Sequence, residues 1–215
     1  MKKMFILFLV GLLSSIPLTA KSTELIRDEG DFAKELIQIK NQYQPKKAGL
    51  FYFRINVLQA KMEVFHVDEI GGLAELELVS THKVGTPKTK EYPLGIGIIT
   101  QIEKNPSWHP TPETIDKFEK KGLDLEQFRD SNGKVTIPPN HEMNYMGPVK
   151  MFIHFITPQK TARLRRDVYR IHGTLENDRK KLGTRCSGGC IRVANEEIKE
   201  LRELTRRSTI IIEYI

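Results

Sequence analysis

Of the 215 residues, two cysteines and six histidines are best suited to nucleophilic or metal chemistry, and one pairing stands out. Cys190 closes the run Gly183-Thr-Arg-Cys-Ser-Gly-Gly-Cys190, and His172 lies in Tyr169-Arg-Ile-His-Gly-Thr174. Two glycines before Cys190 let the backbone turn sharply, present the thiol outward and bring neighbouring N–H groups towards one point. Thiolate is the reactive form, and a free thiol of pKa about 8.5 is barely ionised at neutral pH, so a base or a positive field must assist. His172 is the candidate base, the nearby arginines would favour the anion, and turn N–H groups from Ser187 to Cys190 would stabilise an oxyanion. On residue types alone, a small buried cysteine and a satisfied histidine fit the same pair.

Other chemistries compete for these residues. Cys186, four before Cys190, could bridge to it in an oxidising compartment and silence the nucleophile. His172, Cys186 and Cys190 with one further His could hold zinc, but no second pair of ligands lies nearby, so no metal is expected. His66 and His154 read as ordinary strand residues, and His82, His109 and His141 have no spacing to an acid or cysteine that suggests a site. Trp108, among the prolines of Asn105 to Pro112, is placed either beside a substrate groove or over the core.

The elements that must position these residues follow from patterning. Asp31 to Tyr43 has helical spacing, with Asp31 as the expected N-cap and Gln44-Pro45 as the stop. From Ala48 the texture changes to short β-branched and aromatic runs at 50–57, 62–67, 73–79, 94–102, 149–156, 168–172 and 209–214. Helices are expected at 113–121 and 195–204, the latter capped by Asn195. The Phe51-Tyr52-Phe53 cluster belongs to the core. Many short strands and few helices predict a mainly β domain over 48–215, preceded by a helical extension at 21–47.

Composition excludes several classes. With 39% hydrophobic residues, 15 Gly, 11 Pro and 2 Cys, the chain is not a disordered polyelectrolyte, a fibrous repeat or a disulfide miniprotein. Lys2 and Lys3 precede a short apolar run from Met4 to Leu13 and a small-residue end at Thr19-Ala20, the pattern of an export signal over 1–20; an uncleaved N-terminal anchor is the other reading. The remainder carries 32 basic and 27 acidic residues, and ten basic against three acidic lie between Lys160 and Arg192. For an exported chain, that local charge points to anionic envelope polymers, lipid headgroups or a substrate with several carboxylates, not to nucleic acid. A merely solvated basic face would look the same.

His172-Gly173-Thr174 and Ser187-Gly-Gly-Cys-Ile-Arg192, with seventeen residues between His172 and Cys190, resemble the active-site signature of the YkuD family of L,D-transpeptidases, which remodel bacterial peptidoglycan. Val84-Gly85 with Tyr92-Pro-Leu-Gly95, Asn105-Pro-Ser-Trp108 and Asn144-Tyr-Met-Gly147 resemble further family segments in the same order, over roughly Ala48 to Ile215. There are two departures: Gly188 stands where the family usually has a second histidine, and Tyr92 stands where it has Thr.

The resemblance implies a β-sandwich-like catalytic fold, no cofactor and a periplasmic or envelope location. It makes Cys190 the nucleophile, His172 its base and Gly173 the carbonyl that orients the imidazole. Ser187, Gly188 and Gly189 would shape the oxyanion loop, and Arg192 would hold the loop or a substrate carboxylate. The implied donor is a peptidoglycan stem tetrapeptide, attacked at its diaminopimelate carbonyl with release of D-Ala. The acyl group would then pass to an amine, giving a 3-3 cross-link or an attached envelope protein, or to water, giving an L,D-carboxypeptidase. A non-catalytic peptidoglycan-binding module is the reading from another class.

Overall fold

The computed structural model describes residues 28–70, 73–88, 92, 94–156 and 169–215. The expected export segment at 1–20, all four basic residues between 160 and 168, and the expected strand start at Val168 lie outside the described residues.

Helix α1 spans Glu29–Tyr43. Its cap is Asp28, not Asp31: the Asp28 carboxylate accepts the Asp31 N–H at 3.1 Å, and Asp31 itself sits in the first turn, where negative charge favours the helix N-terminus. Phe32, Ala33 and Leu36 bury against Leu50, Tyr52, Phe65 and Ile211, so the helix lies on one face of the sheet.

Among the described residues ten strands follow: β1 Gly49–Asn56, β2 Lys61–Ile70, β3 Leu73–Lys83, β4 Thr86–Pro87, β5 Gly95–Lys104, β6 Val149–Phe155, β7 Arg170–His172, β8 Arg185–Ser187, β9 Ile191–Arg192 and β10 Ser208–Tyr214. Eight form one sheet in the order β3-β2-β1-β10-β5-β6-β7-β9, and β4 pairs with β8. Alternation along β1 sends Phe51, Phe53 and Ile55 into the main core and Leu50 and Tyr52 towards α1.

The main core joins Met62 and Val64 of β2, near one edge of the sheet, to Ile171 and Ile191 of β7 and β9 at the other. Residues so far apart in strand order share one core because the sheet curls over itself. Gly85, just beyond β3, completes the curl by exchanging two backbone hydrogen bonds with Arg192 of β9, each of 2.8 Å. The mainly β class is therefore as expected, with the two sandwich layers supplied by one continuous curled sheet.

Two more helices bear on the site. Helix α2, Pro112–Glu119, belongs to the 105–148 connection between β5 and β6. That connection has its own small core of Phe118, Leu125, Val135 and Ile137, and buried Asn144 ties it together by donating to the carbonyls of Pro106 (2.8 Å) and Pro138 (2.9 Å). Helix α3 spans Asn195–Leu204, and its N-cap is Ala194 rather than the expected Asn195. The Asn195 side-chain Oδ1 is committed elsewhere, accepting the Thr174 N–H at 3.0 Å.

Candidate active site

Strand β7 delivers His172 and the loop between β8 and β9 delivers Cys190, because β7 and β9 run parallel with Ile171 opposite Ile191 and His172 opposite Arg192. Both side chains line one cavity of about 540 Å³, together with Ser187, Gly188, Gly189, Arg192 and Trp108. Every residue expected to act on substrate thus meets at one place. Gly173 stands just behind the wall.

His172 is 3% exposed, and its Nδ1 lies 2.6 Å from the Gly173 carbonyl oxygen. A carbonyl can only accept, so this contact assigns the neutral-ring proton to Nδ1 and leaves Nε2 as the basic nitrogen. Burial, then the Arg192 charge, pull the imidazole down from 6.5 to about 4, although the Gly173 carbonyl works against them. Gly173 has no room for a side chain: a Cβ there would meet Asn195 Oδ1, and Pro148 Cδ at 2.8 Å. Its partner in this close approach is Gly147, at φ +62°, whose backbone packs on that of Gly173.

Cys190 is partly exposed at the cavity wall. Burial pushes its thiol up, and this outweighs the backbone N–H of Arg170 and the charges of Arg170, Arg192 and Lys150, which all favour the anion. The arginines favour the anion as expected, but desolvation outweighs them, and thiol and imidazole both rest neutral near pH 7.

In the nucleophile loop, buried Ser187 accepts the Gly189 N–H on its Oγ at 3.2 Å, which occupies one of the expected oxyanion donors. Gly188 borders open space, with nothing within 4 Å of the position a Cβ would take. Arg192 is anchored twice: its backbone bridges to Gly85, and its guanidinium reaches Asp178 at 3.3 Å. Asp178 also holds Lys181 at 2.5 Å.

Trp108 fits both of its expected places. It lines the cavity and packs on Tyr145 (4.8 Å between ring centroids) and Phe118 (6.0 Å). Tyr145, Met146, Tyr169 and the cavity-facing side of α2 were not expected at the site, although Tyr145, Met146 and Tyr169 fell in segments read from the sequence.

Cys186 and Cys190 are both free thiols, and only Cys190 lines the cavity. The Cys186 sulfur instead packs on Gly85, 2.7 Å from where a Cβ would stand. Among the described residues, the group with metal-ligand geometry is His66, Asp68 and Glu77 on β2 and β3, not the trio of His172, Cys186 and Cys190. No described helix is long and apolar enough to cross a membrane.

Comparison with known proteins decides the family, since the model of the YkuD L,D-transpeptidase catalytic domain matches residues 52–212. The chain belongs to the YkuD family. This YkuD chain is 33% identical over 122 residues to the probable L,D-transpeptidase ErfK/SrfK of Escherichia coli K12, a match covering 51% of this chain and 32% of that protein. The chain thus spans about a third of the length of that curated relative. Similar solved structures include the L,D-transpeptidase LdtMt1 in complex with imipenem (14% identity, TM-score 0.44, 78% of this chain and 60% of that one). Another is Bd1075 of Bdellovibrio bacteriovorus (13% identity, TM-score 0.45, 77% and 47%).

Proposed function

We propose that this YkuD domain catalyses acyl transfer on peptidoglycan stem peptides through Cys190. His172 Nε2 takes the thiol proton as the sulfur attacks the diaminopimelate carbonyl of a tetrapeptide; an S–C bond forms, the C–N bond to D-Ala breaks, and His172 returns the proton to the leaving amine. The thioester then passes to an acceptor amine, giving a 3-3 cross-link or an attached envelope protein, with release of the thiol. Backbone N–H groups of the 187–190 loop stabilise the tetrahedral oxyanion. The work is done in the cell envelope after export, and it needs no cofactor.

The observation that carries this reading is that His172 and Cys190 line one cavity while the bond from His172 Nδ1 to the Gly173 carbonyl makes Nε2 the basic nitrogen. A resting neutral pair suits it, because charge then develops only during attack. Water as the acceptor is the second reading, favoured by Gly188, where among the described residues nothing lies within 4 Å of the position a Cβ would take.

Digestion of defined tetrapeptide muropeptides, with mass analysis of products, tests the proposal. D-Ala release that Cys190→Ala abolishes is expected, together with a covalent carbapenem adduct on Cys190 of the reduced wild type. Equal release by both proteins would sink the cysteine mechanism, and absence of both release and adduct would leave a peptidoglycan-binding module.

A further inference from the structure

Helix α2 lines the same cavity as Cys190, and it brings two charges of opposite sign to the wall, Glu113 and Lys117. They are four residues apart on one helix, so they occupy the same face with their Cβ atoms about 6 Å apart. Thr111 and Thr114, hydroxyl to hydroxyl at 3.0 Å, border them on the same wall. Among the described residues, neither Glu113 nor Lys117 forms an ion pair or a side-chain hydrogen bond.

The third charged group on the wall is already committed, for Arg192 is held by Asp178. The two uncommitted charges facing the nucleophile are therefore one acid and one base, side by side. A ligand carrying only a carboxylate would satisfy Lys117 and be repelled by Glu113; an amine alone would do the reverse. A zwitterionic amino-acid head satisfies both.

We infer that Glu113 and Lys117 form a clamp for the free α-amino-acid head of the donor's third residue, Glu113 taking its ammonium and Lys117 its carboxylate. This rests on the stem-peptide reading above and adds to it the feature by which the domain selects its donor. In diaminopimelate that head ends the side chain of the residue whose carbonyl is attacked, so a wall facing Cys190 is where it must fall. Because both residues touch substrate away from the reacting atoms, they set affinity rather than the chemical step.

Four tetrapeptide donors separate the two contacts: one with diaminopimelate, one with its head carboxylate amidated, one with its head amine acetylated, and one with lysine, which has the amine and lacks the carboxylate. Lys117→Met should raise KM about fivefold for the diaminopimelate and acetylated donors, leave kcat nearly unchanged, and have no effect on the amidated and lysine donors. Glu113→Gln should raise KM by a similar factor for every donor except the acetylated one. Affinities of the same donors for Cys190→Ala, with and without each second substitution, should follow the same pattern without turnover.

If each substitution weakens all donors alike, or none, the clamp is overturned while the cysteine mechanism stands. If the wild type neither turns over nor binds any of the four, both fall. Both side chains are exposed, so the variants are expected to fold as the wild type does.

Discussion

The Gly173 carbonyl oxygen lies 2.6 Å from His172 Nδ1, one residue from the ring it orients, so the catalytic tautomer is set by the backbone of the same segment. No distant carboxylate is required for that task. The glycine is needed because Asn195, Pro148 and Gly147 crowd the position where any side chain would begin.

Gly173→Ala should therefore lose more activity than stability. Overpacking of this kind costs about 1–3 kcal/mol, and the backbone shift that relieves it moves the carbonyl away from Nδ1. Urea unfolding alongside D-Ala release measures both; a variant with full activity would show that the carbonyl does not position the base.

Gly188→His makes the opposite case. With open space at the Cβ, the stability change should stay within about 0.5 kcal/mol, and the ratio of transfer to hydrolysis should rise if water reaches the thioester through that gap. A product ratio identical to that of the wild type would remove the argument for water drawn from Gly188.

Acid should act on both function and stability. Above about pH 4 the folded imidazole is neutral and able to accept a proton, and below it the base is lost. Between 6.5 and about 4 the unfolded chain binds a proton that the folded chain refuses, so stability falls as pH drops through that window, by up to about 3 kcal/mol. His172→Asn should flatten that part of the stability profile; an unchanged profile would place its cause in other groups.

Alkylation distinguishes a neutral pair from a thiolate–imidazolium pair. In a Cys186→Ser background, the rate at Cys190 should climb only in the alkaline range, because burial holds the thiol above its ordinary value. A plateau already reached at pH 6 would contradict a neutral resting state.

Leu36→Ala addresses the extension that precedes the YkuD domain. Leu36 is fully buried between α1 and the sheet, so truncation should cost about 2–5 kcal/mol while kcat at low temperature stays near the wild-type value. A negligible cost would mean that the helix contributes little to holding the sheet.

The residues proposed as nucleophile, base and orienting carbonyl could be picked out from the sequence because they sit in two short segments whose residue types suggest that chemistry. The long strands were legible as well, since β1, β2, β5, β6 and β10 each repeat their pattern over several residues. Strands β4, β8 and β9, of two or three residues, are too short to show a period, and pairing across the chain creates them. The caps at Asp31 and Asn195 were misplaced by one to three residues because a good capping residue also serves a first turn or a neighbouring loop. The net balance at the Cys190 thiol was not legible, for a different reason. Arginines can be counted in a sequence, whereas the desolvation that outweighs them depends on packing. The same holds for α2, which reaches the cavity only through the small core of Phe118 and Trp108.

The double backbone bridge between Gly85 and Arg192 has a bearing on how the molecule matures. It seals the seam of a sheet whose central strand, β10, follows both of these residues in the chain, so the wall around the thiol is completed only once β10 has joined. Such non-local pairing is slow to form. An incomplete or newly made chain would carry its sulfur and its imidazole without the architecture that couples them, and reactivity would arrive together with the finished fold.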